Sequence, residues 1–62
     1  MNFADIQTLL QALRRVPKAE RTGHHQMATR YAKDAALFIE RNPEHAAERF
    51  HAALFHAQFC AA

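Results

Sequence analysis

One cysteine, one glycine, two prolines, no tryptophan and no serine leave this 62-residue chain without most of the parts from which small proteins build chemical sites. A single thiol excludes an internal disulfide, and its lone presence at Cys60 reads as a reducing compartment, so a cytoplasmic location is expected. The one glycine, Gly23, excludes a glycine-rich phosphate loop. No stretch nears the roughly 18 to 20 consecutive apolar residues of a membrane span. Met1 to Leu10 also lacks the basic region and long apolar run of a signal peptide, so neither insertion nor export is expected. Cofactors are expected to be absent.

What is present is apolar and helix-forming. Half of the residues are hydrophobic, alanine dominates, and five phenylalanines supply the bulk. That composition suits short, closely packed helices and suits sheets or disorder poorly. So short a chain buries only about 60% of the surface its unfolded form exposes, so a lone core is marginal. Oligomerisation or very regular helix packing is the expected support. The fold expected for residues 1–62 is a single all-α domain. It comprises a short N-terminal helix plus an antiparallel helical hairpin, a three-helix mini-bundle paired as a homodimer.

The first helix is predicted over residues 3–15, with Asn2 as N-cap and Asp5 in the favourable first turn. Phe3, Ile6, Leu9, Leu10, Leu13 and Val16 fall on one side at 100° per residue. Pro17 ends it. A short helical turn around Lys18 to Arg21 precedes Thr22-Gly23, and a main helix is predicted over residues 24–41. A continuous helix with Gly23 inside is the alternative. Met27, Ala28, Tyr31, Ala32, Ala35, Phe38 and Ile39 form the main helix's apolar face, while Leu37 lies off it. Asn42-Pro43-Glu44 combines an N-cap, a proline at N1 and a first-turn carboxylate, which starts a third helix over residues 43–60. The short connection makes the last two helices an antiparallel hairpin. The first helix then lies across the hairpin's groove or pairs with a second copy.

The third helix has more apolar surface than one neighbour covers. Ala46, Phe50, Ala53, Leu54, Ala57 and Ala61 make the face for the main helix, whereas Phe55 and Phe59, an i,i+4 pair, point roughly the other way. Either the first helix closes over them or they form an interaction surface together with Leu37.

Five histidines invite a metal reading, but zinc needs three or four convergent ligands. His45 and Cys60 lie about 22 Å apart along the helix. Only His56 and Cys60 can share an ion, with a further ligand from His24, His25 or another chain. The histidines therefore read as solvated or edge-of-core residues, with His24 on the apolar side of its helix, Cys60 as a small hydrophobe, and no metal. A Cys–His dyad near a chain terminus has no cleft or oxyanion site, and Asp34, Glu40, Glu44 and Glu48 read as solvated helix charges, so no enzyme is expected.

Net charge is +2, yet six of the eight Lys and Arg residues lie between Arg14 and Lys33 against Glu20 alone, a local excess of +5. Arg14, Arg15, Lys18 and Arg21 concentrate it around the first turn, where it would attract an acidic protein groove or nucleic acid. The function expected is a small adaptor or inhibitor, of the kind that phages and plasmids encode in this size range, docking on a larger protein with an acidic or apolar groove. Its binding residues would be Leu37, Phe55, Phe59, Arg14, Arg15, Lys18 and Arg21. A dimeric RNA- or DNA-binding regulator is the alternative.

Overall fold

Asn2 and Asp5 start the first helix, α1 (Phe3–Arg14), by closing a reciprocal capping box. The Asp5 N–H donates to Asn2 Oδ1 at 3.0 Å and the Asn2 N–H donates to Asp5 Oδ2 at 3.1 Å. Two of the N–H groups that every helix start leaves without a partner are thereby satisfied. The structure, a computed structural model, describes residues 1–60 and is all-helical over them. After α1 come a 3-10 turn at Lys18–Glu20, then α2 (Gly23–Phe38) and α3 (Pro43–Ala57). Gly23 thus opens α2 rather than lying inside a longer helix, and Thr22 takes the N-cap position without a side-chain capping bond.

The main helix ends three residues before the predicted Arg41. Pro43 has no N–H to offer the Ile39 carbonyl, so the last backbone bond of this corner is Asn42 N–H to Phe38 O, at 2.8 Å. Asn42 then turns outward and caps α3, accepting the His45 N–H on Oδ1 at 3.1 Å with Pro43 at the first helical position. α3 stops at Ala57 instead of Cys60; Gln58 is its C-cap, and Phe59 and Cys60 follow in a turn, their N–H groups on the carbonyls of His56 and Ala57.

α2 and α3 form the expected antiparallel hairpin, and alanine sets its closeness. Ala28, Ala32 and Ala35 on α2 and Ala46 and Ala53 on α3 are completely buried. Side chains this small let helix axes approach to the near end of the usual ~8 to 10 Å range. α1 packs chiefly along α2 and touches α3 only at its edge, placing Ile6 and Leu10 over Ala32, Ala35 and Ala53. Leu9, Tyr31, Ala36, Ile39 and Phe50 close the margin of this core.

Three expectations are corrected here. Leu54, assigned to the inner face, is 44% exposed, because α1 sits on α2 and leaves the Leu54 side of α3 open. Phe3, assigned to the inner face of α1, is likewise exposed at the helix start. His24 is exposed and its neighbour His25 is the buried ring. Ala61, expected on the core face, lies outside the described residues.

Candidate interaction surface

The end of the molecule where α1 finishes, α2 begins and α3 finishes is held together by side-chain donors on α1's last carbonyls. His25 is buried, and its Nε2–H donates to Leu13 O at 2.7 Å. Arg21 folds back so that Nε donates to Val16 O at 3.0 Å and Nη2 to Arg14 O at 3.2 Å. A helix C-terminus leaves its final carbonyls without N–H partners and carries partial negative charge, and a guanidinium and an imidazole supply what is missing. These contacts fix α1 against the start of α2, which is why α1 does not swing across the hairpin onto α3.

The basic cluster surrounds this corner. Arg14, Arg15, Lys18 and Arg21 are all exposed, but Arg21 is committed to capping, which leaves the other three as the freely projecting charges. Behind it, Arg21, Arg30, Lys33 and Thr29 line an open groove of about 690 Å³ along α2, with Asp34 at its wall. The Thr29 hydroxyl is buried there without a hydrogen-bond partner among the described residues.

The aromatic cluster stands beside the same corner. Phe55 and Phe59 meet edge to face at 5.5 Å and are 55% and 52% exposed. Phe59 stacks on His24 at 4.6 Å, Phe55 meets His56 edge-on at 5.3 Å, and His56 stacks on Tyr31 at 5.7 Å. The two imidazoles touch directly, His24 Nδ1 lying 2.9 Å from His56 Nδ1, so one ring donates its N–H to the bare nitrogen of the other. The Arg49 guanidinium lies over the Tyr31 ring at 5.5 Å and reaches His45 Nε2 at 3.3 Å. Cys60 is half-buried, its Sγ 3.7 Å from His56 O. Among the described residues no three His, Cys, Asp or Glu side chains converge on a point that would hold a metal ion.

Six of the seven residues expected to bind a partner are therefore gathered at one end: Arg14, Arg15, Lys18 and Arg21 beside Phe55 and Phe59. The link runs through adjacent histidines, His25 on the α1 terminus and His24 on Phe59. Leu37, 70% exposed, belongs to the other end, 13 residues or about 20 Å of helix from His24. It does not share a surface with the phenylalanines. A smaller apolar groove of about 350 Å³ lies between α1 and α3, lined by Leu9, Ala12, Phe50 and Leu54 with Asp5 and Thr8 at its edge.

Two features were missed from the sequence. The buried role of His25 has a faint signal, since 25, 28, 32 and 35 continue one stripe once the helix is started at Gly23. The meeting of His24 with His56 follows from the antiparallel hairpin, which sets the start of α2 beside the end of α3. Comparison with protein-family models, with curated proteins and with solved structures gave no match to this chain.

Proposed function

We propose that the protein is a non-enzymatic interaction module, an adaptor or inhibitor that docks on a larger protein with Phe55 and Phe59 as its apolar anchor. Arg14, Arg15 and Lys18 form the electrostatic rim that steers the encounter. The observation that carries this reading is the pair of half-exposed rings in mutual contact near the end of α3. Each phenyl group offers roughly 150 to 250 Å² for burial. Covering the exposed half of both at ~25 cal/mol/Å² contributes about 5 kcal/mol before the costs of association. Micromolar binding needs about 8 kcal/mol net, so the charged rim and the partner's own apolar surface must add to it.

A second copy of the chain is the competing occupant. The local excess of positive charge at this end opposes a two-fold contact of like surfaces, whereas a groove flanked by carboxylates complements it. A different, acidic protein is therefore favoured over the homodimer. Nucleic acid is the second reading, favoured by the groove that joins Arg21 to Arg30 and Lys33. Binding to DNA or RNA that falls steeply with log salt would establish it in place of the first.

The test compares wild type with Phe59→Asp as bait in host lysate, alongside far-UV circular dichroism and sedimentation. The expected result is an acidic protein retained by wild type and lost with Phe59→Asp, at unchanged helicity. Equal capture by both baits would remove the phenylalanines from the docking surface, and unfolding of Phe59→Asp would place the ring in the core.

A further inference from the structure

Between α1 and α2 lies a pocket of about 190 Å³, continuous with the larger groove through Arg21, His25, Thr29 and Lys33, which line both. Its remaining lining is of two kinds. Leu10, Leu13 and His25 are buried, whereas Arg14, Arg21 and Lys33 are exposed cations. No carboxylate lines the pocket, and Asp34 belongs to the adjoining groove alone. The three charges come from separate segments, α1, the connection after it and α2, so folding itself gathers them. Like charges brought together repel, which disfavours the compact state until an anion neutralises them. From this gathering we infer that the pocket binds a phosphate dianion, either the free ion or the terminal group of a monoester.

The donors suit that ligand. Arg21 is anchored by Nε–H on Val16 O at 3.0 Å and Nη2–H on Arg14 O at 3.2 Å. A guanidinium carries five N–H donors in a fixed fork, so three remain for an oxyanion and are already oriented. The same bonds, with His25 on Leu13 O, occupy carbonyls at the end of α1 that would otherwise repel an anion. Thr29 adds a neutral donor. Thr8 satisfies its hydroxyl on the Ala4 carbonyl at 2.9 Å, but the buried Thr29 hydroxyl has no partner among the described residues. Leaving it so is costly, and an oxyanion acceptor removes the cost. The volume equals that of about six waters at ~30 Å³ each, room for a four-oxygen anion with water beside it. Charge selects phosphate over carboxylate, since a phosphate monoester near pH 7 carries about −1.5 to −2 on three acceptor oxygens and a carboxylate a single charge on two. Phe55 and Phe59 do not line the pocket, so it can fill whether or not they are covered.

The experiment titrates sodium phosphate, methyl phosphate, dimethyl phosphate and acetate into the ¹⁵N-labelled protein at about pH 7.5, where the second phosphate proton is off, with NaCl holding ionic strength constant. Phosphate is expected to saturate with a dissociation constant of about 1 mM or tighter, the worth of two or three charge-assisted hydrogen bonds, and to move the Thr29 amide and His25 ring signals. Methyl phosphate binding as tightly assigns an esterified phosphate as the ligand, and weaker binding assigns the free ion. The singly charged dimethyl phosphate and acetate should each bind at least about tenfold more weakly, the loss of one bond to a charged group. Thr29→Val should weaken phosphate about tenfold for the same reason, with unchanged circular dichroism. Lys33→Gln should weaken it about two- to fivefold, as for an exposed ion pair, and Lys18→Gln, which removes the same charge outside the pocket, should not. Absence of saturable phosphate binding overturns the assignment, as does acetate or dimethyl phosphate binding as tightly as phosphate, or an equal loss in Lys18→Gln and Lys33→Gln.

Discussion

Replacing His25 by alanine removes a buried imidazole and the bond that ties the end of α1 to the start of α2. Leu13 O keeps a weak backbone donor in the Val16 N–H at 3.3 Å, so it is not wholly orphaned. The hydrogen-bond loss then falls toward the lower part of the ~1 to 3 kcal/mol range for an unsatisfied buried group. The emptied ring volume adds a packing loss of similar size, for a combined destabilisation of about 2 kcal/mol or slightly more. In a domain of this length each kcal/mol moves the midpoint by about 4 to 8 °C, so Tm should fall by roughly 8 to 16 °C. Thermal unfolding followed by circular dichroism at 222 nm measures it, with exposed His51→Ala as the control expected within about 0.5 kcal/mol of wild type. If His25→Ala unfolds together with the control, the ring does not hold α1, and the reason given for α1 lying on α2 fails.

Ala32→Leu adds three carbons where α1, α2 and α3 meet with no accessible surface, and overpacking there should cost about 1 to 3 kcal/mol, seen as a lower urea midpoint; an unchanged midpoint would show a looser core. Asn42→Ala removes the cap of α3 and should cost about 1 kcal/mol by the same measurement, while Asn42→Gly should recover most of it. With the Phe59→Asp capture above, these outcomes separate core, cap and surface from one another.

Local chemistry made most of the fold legible. The Asn2 cap with the Asp5 first-turn carboxylate, the Asn42-Pro43 start, the break at Pro17 and the alanine stripe of α2 act within one or two turns, and each falls where the sequence places it. The ends of α2 and α3 were overrun, because periodicity continues past the point where a proline lacks an N–H or a cap residue intervenes. Leu54 and Phe3 were misplaced for a different reason. Their burial depends on where α1 docks, and that is set by Arg21 and His25 reaching carbonyls up to twelve residues away. At the candidate site the phenylalanine pair and the basic cluster were readable as separate features, but their gathering at one end is a product of the hairpin. The same topology separates Leu37 from them, a consequence that helix faces alone do not reveal.

The central claim is that Phe55 and Phe59 face outward until a partner covers them. Hydroxyl-radical footprinting of the isolated protein in dilute solution tests it most directly, with Phe50, half-buried against the core, as the internal reference. Oxidation of both late rings well ahead of Phe50, lost when the captured partner is added, is the predicted outcome. Protection of Phe55 and Phe59 equal to or greater than that of Phe50 in the dilute, isolated chain would contradict it.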